Sequence, residues 1–403
     1  MDQWNANVTP MLQDFERLIH YAFPEELPEY DTYNIIGWEP ANEEMKIATR
    51  DILSKFEDIL DVTFHETNDP KAANVIAVGI SNETTSAGFS YFPNYFFEIG
   101  MDVFIAKDYA SPNFVSKHIT NYDYEVLVHE IGHALGLKHP FEANGANTET
   151  LSTYEDNTRN TAMSYNDNSI TFNGTLRPLD WMALTKFYGV KSTFNSGDDI
   201  YEFSSSIGTF ILDGAGIDTI RAVDTSQDVT IDLRPGAQSH LGSKSDYITG
   251  ANQLTISHGS NIENVVTGDG DDTVIGTDLD NVIETGSGAD TIFAGNGKDI
   301  IKSGIGADRI DLSESVQSQD TVILDTSSVD LGIDTVYGLL QGASGDIFDV
   351  SAVLSPSFEI FPLVAWGSAP NANFSGGILR LVGANLSTST DLFNALQVGG
   401  GFE

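Results

Sequence analysis

The chain contains no cysteine, which excludes disulfides and thiolate metal sites from the outset. Basic residues are scarce: 19 Lys plus Arg stand against 59 Asp plus Glu, a formal net charge of −40. Binding a nucleic-acid backbone needs a basic footprint, so no nucleic-acid partner is expected. Long apolar runs are missing too, and none approaches the roughly 18 residues of a membrane span. The first residues, Met1, Asp2, Gln3, Trp4 and Asn5, lack the basic and apolar regions of a cleaved secretory leader. Three explanations stay open: the protein remains inside, a leader lies outside this sequence, or export uses another signal. The lack of cysteine does not fix the compartment, because a secreted protein stapled by cations needs no disulfides.

What is present suffices for packed cores. The hydrophobic fraction is 40%, and 403 residues are too many for one ordinary core, so two domains are expected. A charge of this size repels itself in a compact state unless something neutralises it, and divalent cations are the obvious candidates.

Chemistry concentrates in His129-Glu130-Ile131-Gly132-His133-Ala134-Leu135-Gly136-Leu137-Lys138-His139-Pro140. His129 and His133 are four apart, so a helix projects both imidazoles from one face, at the separation where two ring nitrogens meet one zinc ion. Glu130 lies beside them, placed to reach water at the metal rather than the metal. Gly136 lets the helix stop and the chain turn, which brings His139 back as a third ligand, and Pro140 bars helical continuation. Three protein ligands leave a position open, the mark of a catalytic zinc site. The bare histidine pair arises by chance on surface helices, but the Gly136 and His139 extension makes coincidence a poor explanation. His20, His65, His118, His240 and His258 show no paired spacing and read as surface or core residues.

This stretch resembles the zinc site of the metzincin metalloproteases, and its His139-Pro140 ending resembles the serralysin branch. Thr161-Ala162-Met163-Ser164-Tyr165 resembles the Met-turn of that family. The resemblance implies that Met163 forms an apolar floor beneath the histidines. It also implies that Tyr165 is a further zinc ligand, able to swing away and donate a hydrogen bond to the developing oxyanion. Glu130 is then the general base of peptide hydrolysis. The stretch Ala87-Gly88-Phe89-Ser90-Tyr91-Phe92-Pro93 resembles the serralysin edge strand along the cleft. Gly88, Phe89, Ser90 and Tyr91 are therefore expected to hold substrate through backbone bonds, a plain structural strand being the alternative.

Patterning predicts a mixed α+β domain over residues 1–190, which the resemblance implies is a metzincin-like catalytic domain. Thr9-Pro10 opens a first helix carrying Phe15, Leu18, Ile19 and Ala22. Asn42 caps a second, with Met45, Ala48, Ile52, Phe56 and Ile59 as its apolar stripe. Strands are expected at 75–80, 87–93 and 102–106, Asp123 as the cap of the histidine helix, and a closing helix within 175–190 ended by Gly189.

Residues 191–403 read as an all-β domain. A nine-residue period begins Thr267-Gly268-Asp269-Gly270-Asp271-Asp272-Thr273-Val274-Ile275 and continues at 276–284, 285–293, 294–302 and 303–311. Glycine fills the second and fourth places in four copies, as in Gly286 and Gly288 or Gly295 and Gly297. Aspartate holds the sixth place, as Asp272, Asp290, Asp299 and Asp308, with Asn281 in the second copy. The eighth is always branched and apolar: Val274, Ile283, Ile292, Ile301 and Ile310. Glycines allow a tight turn that brings carbonyls toward a cation, aspartate adds a hard oxygen, and the apolar residue points inward. This resembles the RTX nonapeptide repeat, which implies a parallel β-roll with several calcium ions between its turns. Leu279 and Asn281 depart from the pattern, which puts calcium at that rung in doubt. A further calcium is expected at Asp213 and Asp218. Residues 320–403, with Gly377-Ile378-Leu379-Arg380-Leu381-Val382, are expected to extend and cap the roll.

The function expected is a secreted, monomeric zinc endopeptidase acting on proteins or peptides, stabilised by calcium and exported, as the resemblance implies, by a type I secretion apparatus. A non-catalytic calcium-dependent adhesin with a zincin-like domain is the alternative, and a zinc hydrolase of non-peptide bonds a third class.

Overall fold

A computed structural model describes residues 17–28, 35–72, 74–82, 85–93, 100–110, 122–143, 147–166, 174–204, 208–323, 334–338, 340, 345–349 and 397–398. Contacts divide the chain into two units, the first holding Met1–Phe194 with Leu212–Gly214 and Ser257–Gly259, the second holding the remainder.

In the first unit, strands β1 (Leu18–Ala22), β2 (Glu39–Pro40), β3 (Thr63–Glu66), β4 (Val75–Ser81), β5 (Gly88–Ser90) and β6 (Val103–Ala106) form one sheet of order β3-β1-β4-β6-β5, with β2 on β4. β1, β3, β4 and β6 pair parallel, whereas β5 runs antiparallel to β6 at the end of the sheet. Every residue of β4 is buried, as its run of β-branched residues predicts for a strand covered on both faces.

The first predicted helix fails where it can be checked. Residues 9–16 lie outside the described set, but Leu18, Ile19 and Ala22 stand on β1, not on a helix. Both edges of β1 are used: Ile19 pairs with Phe64, and Tyr21 with Ile76. Pairing on two sides outweighs the intrinsic preference of five residues whose apolar spacing suits either structure.

Helix α1 (Glu43–Ile59) follows prediction. Asn42 Oδ1 accepts the Met45 amide at 2.8 Å, two glutamates occupy the first turn, and Met45, Ala48, Ile52 and Phe56 are buried. Helix α2 (Tyr122–Ala134) carries the histidine pair, and Asp123 lies within its first turn, so it is not the cap. Helix α3 (Pro178–Tyr188) starts on proline and ends at Gly189, whose amide bonds to Thr185 O at 2.8 Å. Leu127, Ile131, Leu135, Met163, Trp181 and Leu184 belong to one core cluster, which fixes α2 and its histidines in place.

The second unit is built from two sheets of short strands. Val274, Ile292, Ile310 and Val336 stand in register in one, and Val265, Ile283, Ile301 and Val322 in the other. Pairing is parallel throughout except at Gln238–Leu241, which runs antiparallel to both neighbours. The eighth-position residues Val274, Ile283, Ile292, Ile301 and Ile310 are all 0% exposed, as the period requires of an inward column. Each such side chain contributes about 1.5–3 kcal/mol of apolar burial. Rung spacing leaves no room beside the turn glycines. At Gly288, with φ +144°, a Cβ would stand 1.9 Å from the Gly270 carbonyl oxygen. The strand-like run 377–382 lies outside the described residues.

Candidate metal centre

His129 and His133 sit one turn apart on α2, with ring centroids 4.7 Å apart. The helix ends at a turn in which the Gly136 amide bonds to His133 O and the Leu137 amide to Gly132 O. That reversal returns His139 to the pair. Its Nε2 lies 3.2 Å from His129 Nε2 and 3.1 Å from His133 Nε2.

The outer nitrogens fix the chemistry of the inner ones. His129 Nδ1 donates to Ala162 O at 2.8 Å, and His133 Nδ1 donates to Leu137 O at 2.6 Å. A carbonyl only accepts, so both Nδ1 atoms carry the proton. Burial pushes His129 down to about 4 and His133 well below its ordinary value, so both rings are neutral. Their Nε2 atoms therefore present lone pairs to one point, crowded together with no hydrogen to share. A cation with a preference for imidazole nitrogen resolves that crowding, and the donor set fits zinc.

Glu130 follows His129 on the helix and is 5% exposed; its Oε2 has no hydrogen-bond partner among the described residues. Burial raises its carboxyl to about 8. Gly88 on β5 packs directly against it, where a Cβ would stand 2.9 Å from Glu130 Cγ. Tyr165 is largely exposed, and its hydroxyl lies 2.8 Å from His139 Nε2.

Met163 is fully buried beneath α2, close enough that a Cβ on Gly132 would stand 3.0 Å from its Sδ. One buried carboxylate holds its turn. Asp180 accepts the Thr161 hydroxyl at 2.6 Å, the Ala162 amide at 2.7 Å and the Arg177 amide at 2.9 Å. Because Ala162 O receives His129 Nδ1, Asp180 acts on the histidine through one residue of backbone. Sequence reasoning missed Asp180, whose only local signal is its place three residues after the helix cap.

Among the described residues β5 pairs on one side only. The Ala106 amide bonds to Ala87 O and the Tyr91 amide to Asp102 O, which fixes the antiparallel alternation. Gly88 and Ser90 therefore turn their peptide groups to the open edge, while Phe89 and Tyr91 turn theirs toward β6. Of the four expected substrate residues, the edge offers backbone bonds from these two.

In the second unit the sixth-position aspartates form ladders. Asp272 Oδ1 accepts the Val229 amide, Asp290 Oδ1 that of Asp272, Asp308 Oδ1 that of Asp290 and Asp299 Oδ1 that of Asn281, at 2.8–2.9 Å. The second oxygens of Asp272, Asp290 and Asp299 are buried without a hydrogen-bond partner among the described residues, an arrangement suited to a hard cation. Asn281 differs: its Oδ1 accepts the Thr277 amide and its Nδ2 donates to Glu263 O, both at 2.8 Å, which leaves that rung no free acceptor charge. Carbonyls of Gly268 and Gly286 already accept the Ser287 and Ile305 amides, so each offers only a second lone pair. The remaining turn glycines, Gly270, Gly288, Gly295 and Gly297, all adopt positive φ. Asp213 and Asp218 are both 0% exposed, Asp213 in the first unit and Asp218 in the second.

The ladders also run past the last recognisable repeat. Asp320 Oδ1 accepts the Asp299 amide, Asp346 Oδ1 that of Asp320, and Asp334 Oδ1 that of Asp308. These steps span 21, 26 and 26 residues instead of 18, and inserted residues conceal them from a search for period.

Comparison with known proteins agrees with both halves of this picture. A reprolysin-like model of metallo-peptidase family M12B matches residues 103–173, and the RTX calcium-binding nonapeptide repeat, in four copies, matches 275–310. Serralysin of Photorhabdus luminescens is 30% identical over 296 residues, covering 66% of this chain and 59% of that protein. Serralysin of Proteus mirabilis is 30% identical over 305 residues, covering 66% and 60%. Metallopeptidase AprA of Pseudomonas marginalis is 29% identical over 282 residues, covering 62% and 58%. The chain thus spans about six tenths of the length of these relatives. A metallopeptidase segment implies zinc, and RTX repeats imply calcium. Among the described residues no helix is long and apolar enough to cross a membrane. The chain is thus a homologue of the serralysins that joins a metallopeptidase-like segment to RTX calcium-binding repeats.

Proposed function

We propose that this protein is a secreted zinc endopeptidase, with residues 1–190 as its catalytic part and 191–403 as a calcium-stabilised roll. The observation that carries the reading is the meeting of three histidine Nε2 atoms beside a buried glutamate with an unpartnered oxygen. His129, His133 and His139 would hold the zinc, with Tyr165 as an outer, displaceable ligand. When bound, zinc polarises a carbonyl and makes water acidic enough to attack near neutral pH.

The chain's own groups do the rest. A substrate segment adds to the open edge of β5 through Gly88 and Ser90, which lays its backbone along Glu130. A cation beside Glu130 would offset the burial that raises its carboxyl, so that it is ionised, takes the proton of the attacking water and returns it to the leaving amine. Tyr165, exposed at the site with its hydroxyl beside His139 Nε2, donates that hydroxyl to the oxygen on which charge develops. Asp272, Asp290, Asp299 and Asp308 hold calcium, with the turn-glycine carbonyls as further ligands. Calcium-dependent folding suits a monomer exported unfolded by a type I apparatus and folded outside.

Casein cleavage with calcium present should stop on adding a zinc-selective chelator and return with zinc. Undiminished cleavage under the chelator would contradict the reading. Gly88→Ala should lower kcat/KM about 10²-fold, the scale of a misplacement near 1 Å, without loss of zinc. Its Cβ would meet Glu130 Cγ at 2.9 Å and Phe104 O at 3.0 Å.

A further inference from the structure

We infer that Glu142 is the positioning residue of the third histidine, an inference that rests on the zinc reading above. His129 and His133 are oriented by their helix and by main-chain carbonyls. His139 stands beyond the helix end, where neither device reaches it. Its Nδ1 instead faces Glu142 Oε2 at 3.1 Å, so a side-chain carboxylate does for this ring what carbonyls do for the other two.

The chain is tied so as to present that carboxylate. The Glu142 amide bonds to His139 O at 3.3 Å, which closes a short turn. The Glu142 carbonyl accepts the ammonium of Lys138 at 2.6 Å, and the same ammonium also donates to Glu149 O. Lys138 is only 5% exposed, so it is an internal strut and not a solvated surface charge. Phe141, between the tied residues, stacks on the His139 ring at 5.2 Å with planes 6° apart. One face of the imidazole is thus covered and one edge hydrogen-bonded, which leaves Nε2 directed at the other two histidines.

A carboxylate in this position does two things that a carbonyl does only in part. It holds the proton on Nδ1, so that Nε2 keeps its lone pair, and its negative charge makes Nε2 a stronger donor to a cation. The Glu142 side chain is 58% exposed, and solvent weakens its effect. The loss on removing it therefore belongs at the lower end of the usual range for such partners, about tenfold.

The test uses the full chain in calcium and measures zinc affinity by competition with a chromogenic chelator, together with the melting temperature of zinc-free protein. Glu142→Ala should weaken zinc binding about tenfold. Glu142→Gln, which keeps an oxygen for Nδ1 but no charge, should fall between that variant and the parent. Zinc-free melting should be unchanged in both, because the side chain is no part of the core. Parental zinc affinity in both variants would overturn the inference, and so would a drop in zinc-free stability large enough to account for the loss. If the parent takes up no zinc, or His139→Ala binds it as tightly as the parent, the zinc reading fails and this inference with it.

Discussion

Glu130→Gln is expected to retain zinc and to lower kcat/KM by about 10³-fold, within the range for a lost general base. Glutamine matches glutamate in shape, so the packing of Gly88 over the side chain survives the change. What disappears is the ability to take up and return a proton. Every other group of the centre is untouched: the Nδ1 bonds of His129 and His133 go to Ala162 and Leu137, neither of which meets Glu130. Steady-state cleavage of a fluorogenic peptide, with zinc content measured on the same sample, checks this. Zinc retained with parental turnover would remove Glu130 from the mechanism.

The second large effect concerns the roll without calcium. Burial is the leading cause that raises Asp272 and Asp290 to about 6, Asp320 to about 7 and Asp299 to about 8, against an ordinary value of 3.8. These pKa values are raised in the fold, so the folded state binds protons that the unfolded chain has released. The resulting penalty is absent below about 4, grows as pH rises, and is complete only above about 8. Metal-free roll should therefore lose stability on going from pH 5 to pH 8.5. Protons and calcium compete for the same oxygens, so apparent calcium affinity should rise across that window, about tenfold per pH unit for each proton displaced. Circular dichroism melts at a series of pH values, with calcium and with chelator, check both statements. Calcium-free stability that rose with pH would contradict the assignment of these aspartates as the ligands.

How far the sequence could be read depended on whether a feature is local. His129, His133, Gly136 and His139 fall within one helix and one turn, so their spacing alone encodes their convergence. The nonapeptides were equally legible, because each rung repeats both its inward apolar residue and its aspartate. Features that depend on a distant partner were not. Leu18–Ala22 became a strand because β3 and β4 flank it, and nothing within those five residues announces either neighbour. Asp180 reaches the metal centre only because α3 packs near a turn 18 residues earlier in the chain. Asp320 and Asp346 continue a ladder whose period had been broken by insertions. Glu142 is local but carried no signal: one glutamate in an acidic chain becomes distinctive only when a turn lays it against Nδ1 of His139.

Zinc stoichiometry bears most directly on the site itself. Purified full-length protein, dialysed in calcium, should carry one zinc per chain, and replacement of His129, His133 or His139 by alanine should abolish tight binding. A parent that holds no zinc, or variants that each retain a full equivalent, would contradict the convergence of the three rings on one ion.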